Sequence, residues 1–121
     1  MSLAMLGWVA LGASIGAPAR FLVDRAVTRA SLDSPIPIGL LVVNVLGSAL
    51  LGVVVGLENS TLLVLLGTGF CGAFTTFSGF AWESTTMWSE RRGRFWSFIA
   101  LMVLACVLAF WITWTVTTHL S

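Results

Sequence analysis

At 121 residues, with 58% hydrophobic and 9% charged side chains, the chain falls far short of the roughly 25% charge of a soluble domain and could not cover a folded surface with polar groups in water. Its length provides for a single domain, residues 1–121, of about four membrane spans of roughly 20 residues each, and leaves no room for a soluble catalytic domain. The net charge of +1 is built from arginine alone on the basic side; no run of it resembles a nucleic-acid-binding arm, and no nucleic-acid partner is expected.

The first span covers about residues 3–28. Ala17-Pro18-Ala19 resembles a signal cleavage site, but no positive charge precedes the apolar run, so the segment is expected to stay as a helix. Gly12 and Gly16 are four apart, the spacing that lets a second helix backbone approach. Arg20 stands near the end of the span. Snorkelling to the interface and attraction of an anion into a vestibule both remain open for it. Residues 29–37 read as a loop, because Pro35 and Pro37 stop helix propagation.

The second span covers about residues 38–57 and carries Gly39, Gly47, Ser48, Gly52 and Gly56, the pattern of a tightly packed helix. Asn44 lies within its apolar run. An amide there must bond to another helix or to something in a pore, since leaving it unpaired in hydrocarbon is costly. Glu58-Asn59-Ser60 is so short a turn that the second and third spans are expected to be antiparallel neighbours.

The third span covers about residues 61–89 and is dense in glycine and hydroxyl residues near 72–79, where an interruption is expected. Every backbone polar group in hydrocarbon needs a partner within the protein, so a non-helical stretch belongs where it is buried or lines a polar path. Freed carbonyls can coordinate a cation, and the N-terminus of a resumed helix favours an anion. A continuous helix with packing hydroxyls is the alternative. Phe77 and Phe80 are three apart. Packing is the ordinary role of phenylalanine, but a ring edge is electropositive and can meet a small hard anion while hydroxyls donate hydrogen bonds. Glu83 follows Phe80 by three, on the same helical face; an intramembrane carboxylate is a functional candidate, with a structural ion pair as the competing role. A charged loop, residues 90–94, leads into a fourth span over about residues 95–118.

Cys71 and Cys106 sit in apolar runs without metal or redox spacing and read as free buried thiols. Trp8, Trp88, Trp96, Trp111 and Trp114 lie mostly toward span ends, as an interfacial belt does. The single histidine, His119, has no nucleophile or carboxylate partner in the sequence pattern, and no enzyme constellation is legible.

Three motifs resemble the small bacterial fluoride channels, the Fluc or CrcB family: Gly12-Ala-Ser-Ile-Gly16-Ala-Pro-Ala-Arg20; Ile36-Pro-Ile-Gly39-Leu-Leu-Val-Val-Asn44 with Gly47-Ser48; and Gly69-Phe-Cys-Gly72-Ala-Phe-Thr75-Thr76-Phe77-Ser78-Gly79-Phe80. Together they cover the chain nearly end to end. The resemblance implies an all-α membrane protein of four helices with a broken third helix, assembled as an antiparallel dimer with two anion pathways in the bacterial cell (inner) membrane. It implies pathway roles for Phe77 and Phe80, the amide of Asn44, the hydroxyls of Thr76 and Ser78, the vestibule arginine Arg20 and the carboxylate Glu83. It implies further that the carbonyls of Gly72 and Thr75 hold a structural sodium ion at the dimer axis. The function implied is passive, selective fluoride export. The sequence departs from the family's pattern at Leu40 and Gly79, where hydroxyl residues are usual, and in a fourth span whose stretch from Ile99 to Phe110 offers only Cys106, with Thr113 further along.

Arg25, Arg29, Arg91, Arg92 and Arg94 fall in the first and third loops, which share a side, and the opposite side has no lysine or arginine. The positive-inside rule then predicts one orientation, with both termini outside, whereas an antiparallel homodimer needs both. A heterodimer with an oppositely oriented homologue, this chain conducting in part or not at all, is the competing reading. A small proton-coupled multidrug transporter is a remote one, because that mechanism needs a carboxylate within the first helix and none precedes Asp24.

Overall fold

The structure, a computed structural model, describes residues 2–30, 37–90 and 92–120. The proline-bearing segment 31–36 and Arg91 lie outside the described residues, as do the side chains of Phe77 and Ser78. The described residues are all-helical: α1 Leu3–Ala30, α2 Ile38–Leu57, α3 Ser60–Leu62, a π-helical segment Leu63–Cys71, α4 Gly72–Phe74, α5 Phe77–Glu90 and α6 Arg92–Leu120. They compose four stretches long and apolar enough to cross a bilayer, Leu3–Ala30, Ile38–Gly56, Ser60–Glu90 and Arg92–Leu120.

Leucine, valine and tryptophan side chains cover the outside of these helices, among them Leu22, Leu104, Val107, Trp82 and Trp111. A continuous apolar exterior of this kind is at home only in lipid, and the chain is a multi-pass membrane protein. α1 passes through Pro18 without a break; its neighbours in a membrane bundle can satisfy the freed carbonyl.

α2 ends sharply. Glu58 adopts the left-handed conformation, φ 56° and ψ 32°, and its N–H returns to the Val55 carbonyl. Asn59 then caps the next helix, its side chain accepting from the Leu62 N–H at 3.0 Å. Two residues of turn chemistry thus fold the third span directly back on the second.

The third span is not a uniform α-helix. Residues Leu63–Cys71 wind as a π-helix, a wide form that is rare over so many residues. Nothing in the apolar pattern of Leu63–Cys71 distinguishes it from an α-helix. The Gly72 N–H reaches the carbonyls of Gly67 and Gly69 as the winding returns to α. Helical geometry then lapses at Thr75, φ −79° and ψ 163°, and Thr76, and resumes at Phe77. Gly72 and Gly79, placed by the sequence within the interrupted stretch, are themselves helical.

Two close backbone contacts assemble the bundle. α1 lies on the π-helical segment, where a Cβ on Gly12 would fall on the Leu65 carbonyl and stand 2.8 Å from the Phe70 nitrogen. One on Gly16 would stand 2.5 Å from the Phe70 carbonyl oxygen. α2 lies on α6, where a Cβ on Gly52 would fall on the Thr113 hydroxyl and the Phe110 carbonyl. The buried core lies between α2, α5 and α6: Leu40, Met87, Phe98 and Met102, with Phe80 and Phe95 packed against it.

Candidate functional site

A groove with a cavity of about 520 Å³ opens between α2, the interrupted third span and α6. Asn44, Gly47, Gly72, Thr75, Thr76 and Phe80 all border it. These residues come from 37 positions of sequence, 44 to 80, and are gathered by the tight turn at Glu58 and Asn59.

At its centre is a clamp. Asn44 is 8% exposed. Its Oδ1 accepts the Thr76 N–H at 2.9 Å, and its Nδ2 donates to the Thr76 carbonyl at 3.2 Å. This pair fixes the amide's orientation, because the backbone offers one donor and one acceptor in set places. The second Nδ2 hydrogen points to the Met102 sulfur, 3.6 Å away. The amide that the sequence required to find a partner therefore finds it in the backbone at the interruption.

The clamp changes what neighbouring groups do. In an uninterrupted helix the Thr76 N–H would point to the Gly72 carbonyl; here it donates to Asn44. Thr75 folds its hydroxyl back to the Cys71 carbonyl at 2.8 Å. The Thr76 hydroxyl oxygen accepts the Gly79 N–H at 3.1 Å, which makes Thr76 the N-cap of α5. The positive end of the α5 dipole thus lies beside Asn44. Gly47 leaves room for the Thr75 methyl group, which a Cβ there would strike. Gly72 is the opposite case: it is exposed, and an added Cβ would meet nothing within 4 Å.

Phe80 borders the groove and is half-buried. Its ring packs in a tilted stack on Phe98, centroids 5.5 Å apart at 33°. Leu40 and Gly79, the two departures noted in the sequence, meet here. A Cβ on Gly79 would lie 3.0 Å from Leu40 Cδ1, so the larger residue on α2 is matched by the smallest on α5.

Arg20 and Glu83 do not border the groove; each is half-buried on its own helix. Gly12, Gly16 and Gly52 stand at the helix contacts described above. Cys106 borders the groove, but the Thr113 hydroxyl bonds to the Ala109 and Phe110 carbonyls of its own helix. Met102, the third contact of Asn44, is a residue the sequence did not single out, since a methionine in an apolar run carries no signal of its own. Among the described residues no group of three or more His, Cys, Asp or Glu could hold a metal ion.

Comparison with known proteins bears on the whole chain. The family described as CrcB-like protein, Camphor Resistance (CrcB), matches residues 7–116. A Geobacillus kaustophilus protein named fluoride-specific ion channel FluC 1 is 43% identical over 109 residues, 88% of this chain and 90% of that one. Fluoride-specific ion channel FluC of Vibrio cholerae serotype O1 is 38% identical over 120 residues, 94% of this chain and 93% of that one. A Nocardia farcinica relative, FluC 1, is 57% identical over 77 residues, a match spanning 63% of this chain and 54% of the relative. With the match covering the groove and all four spans, the chain belongs to the CrcB-like family of membrane channel proteins.

Proposed function

We propose that this protein is a fluoride-selective channel of the bacterial cell membrane that lets cytoplasmic fluoride leave passively. Hydrogen fluoride crosses a membrane as a neutral acid and dissociates in the less acidic cytoplasm, and the trapped anion then needs a path out. The observation that carries the reading is the clamp of Asn44 on Thr76 beside Phe80. It holds an interruption of the third span open at membrane depth, which hydrocarbon tolerates only for a buried or polar-lined path.

In this reading the amide of Asn44, the hydroxyls of Thr76 and Ser78, and the edges of Phe77 and Phe80 form the pathway, with Arg20 drawing anions toward its mouth and Glu83 close to it. A bare fluoride loses hydration and regains it piecemeal from donors and electropositive ring edges. Because Asn44 spends its amide hydrogens on Thr76 and Met102, its part is first to hold the Thr76 backbone and the α5 N-terminus in place.

The functional unit proposed is an antiparallel dimer with two pathways, the groove being covered by the second subunit. Exposed Gly72, with open space beyond its α-carbon, suits close approach of that subunit. A structural sodium ion at the dimer axis fits the donors present. The Gly72 carbonyl is relieved of the Thr76 N–H, the Thr75 carbonyl belongs to an extended residue, and hard, neutral oxygens of unwound helix suit sodium. Such an ion would supply positive charge that ties the two interruptions together.

Fluoride efflux from liposomes holding the purified protein tests this directly. Electrogenic efflux is expected, and Phe80→Ile is expected to lower it by at least about tenfold, the factor that 1.4 kcal/mol represents. Unchanged efflux in Phe80→Ile would remove that ring from the pathway, and a silent wild-type protein would refute autonomous conduction.

One observation favours a second reading. Arg25 and Arg29 end α1, and Arg92 and Arg94 begin α6, all at one end of the bundle by the order of the spans. The positive-inside rule gives such a chain one orientation, and an oppositely oriented homologue would complete the dimer. Cysteine-accessibility mapping of the chain expressed alone is expected to label the α5–α6 turn from one side only. Equal labelling from both sides would establish the homodimer instead.

A further inference from the structure

Ser84 is 7% exposed and its hydroxyl has no hydrogen-bond partner. The other hydroxyls of α5 beyond its first turn behave differently. Thr85, Thr86 and Ser89 each bond back to a carbonyl of their own helix, those of Ala81, Trp82 and Thr86. A buried, unpartnered polar group in a native structure calls for an explanation, because it forfeits its solvation for nothing in return.

The position supplies one. Ser84 follows Phe80 by four residues and so lies one turn further along the same face of α5. It borders an open hollow of about 350 Å³, lined by Ser84, Thr85, Trp88, Phe95 and Trp96 at the α5–α6 turn. The three aromatic rings there meet edge to face, with centroids 4.9 to 6.3 Å apart. Such packing directs electropositive edges as well as faces along the wall. Arg92 lies over the Trp88 ring, 4.6 Å from its centroid, and sets a positive charge at the rim.

We infer that Ser84 is a further anion-donating residue of the pathway, handing fluoride between Phe80 and this aromatic chamber, where the ion exchanges protein donors for water. The chamber's volume exceeds what a bare fluoride needs and leaves space for its first waters. In the orientation the arginines favour, the chamber is the cytoplasmic entrance, and the guanidinium at its rim concentrates the anion there. The Ser84 hydroxyl is unspent in the resting protein because its partner is the passing ion. The fourth span, whose stretch from Ile99 to Phe110 has no polar group beyond Cys106, does not have to supply this donor. The inference rests on the fluoride-channel reading above.

Liposome efflux and thermal stability, measured on the same preparations of wild type, Ser84→Ala, Ser84→Thr and Phe80→Ile, test it. Ser84→Ala is expected to slow efflux by about tenfold while melting at the wild-type temperature or above, since it removes an unsatisfied buried group. Ser84→Thr keeps the hydroxyl and is expected to stay within about twofold of wild type. Wild-type efflux from Ser84→Ala, with Phe80→Ile impaired, overturns the role of Ser84 and leaves the channel reading standing. Slow efflux accompanied by a lowered melting temperature and no recovery in Ser84→Thr also overturns it, as a packing effect. A silent wild type refutes autonomous conduction, and the role of Ser84 in a pathway of this chain's own falls with it.

Discussion

Asn44→Leu is expected to destabilise the protein by roughly 2–5 kcal/mol and to abolish fluoride efflux. Leucine keeps the branched skeleton of asparagine but is bulkier, so some overpacking adds to the main loss, the set of bonds to Thr76. Two backbone groups are then orphaned, the N–H that donates to Asn44 Oδ1 and the carbonyl that accepts from Nδ2. Each buried, unsatisfied group costs about 1–3 kcal/mol, and water cannot make up the loss at membrane depth. The interruption has two ways to respond. It can re-form a helical bond between Thr76 and Gly72, which rotates α5 and moves Phe80 out of the groove, or it can stay open and strained. Either response ends conduction. Asn44→Asp separates these effects, because it keeps the acceptor for the Thr76 N–H but sets an oxygen against the Thr76 carbonyl and the Met102 sulfur. It is expected to be at least as damaging as leucine. Chemical denaturation in detergent together with efflux measurement checks both. Wild-type stability in Asn44→Leu would show that the clamp contributes nothing.

Asn44 also marks how far the sequence could be read. An amide in the apolar run of α2 demands a partner, and that much is legible from one strand of text. That the partner is the backbone of residue 76, with Met102 completing the set, depends on the angle at which α2, the third span and α6 meet. The four apolar stretches and the turn at Glu58 and Asn59 were legible because hydropathy and turn chemistry are local. The π-helical winding of Leu63–Cys71 was not. No residue type is specific for it, and the segment packs against both α1 and α2. The same limit applies to Leu40 and Gly79. Read singly they are two lost hydroxyls, whereas in the fold they are complementary in size, with Leu40 Cδ1 in the space a Gly79 side chain would take. Ser84 carried a signal that went unread, a hydroxyl four residues after Phe80. Its meaning came only with the finding that it is buried and unpartnered. Arg20 and Glu83 were legible as unusual charges in apolar surroundings, but neither lies on the groove of the single subunit.

Gly12→Val is expected to cost about 3 kcal/mol or more and to leave little monodisperse protein after extraction, at the upper end of what overpacking does. Overpacking is tolerable when the opposing atom is the end of a flexible side chain. At Gly12 it is the Leu65 carbonyl and the Phe70 nitrogen, and backbone cannot yield without moving the helix. Gly69 meets the same contact from the other side, 2.7 Å from the Val9 carbonyl oxygen for an added Cβ. Gly7→Val is the control. It lies on the same helix, and an added Cβ there meets nothing within 4 Å, so near-wild-type melting and elution are expected. Because Gly12 and Gly69 face one another, Gly12→Ala and Gly69→Ala are expected to be non-additive: once α1 has been pushed off the π-helical segment, the second methyl group finds space already made. Additive losses would mean that the two glycines answer to separate contacts. The consequence reaches the groove, since Leu63–Cys71 runs directly into Gly72 and the interruption at Thr75. A displaced α1 removes the larger of the surfaces against which the wide π turns are packed, α2 supplying another. Reversion of this segment to α-helical winding would turn Gly72, Thr75 and Phe80 away from Asn44. Gly12→Ala is therefore expected to impair efflux beyond its effect on melting, although it lies on a helix that does not border the groove.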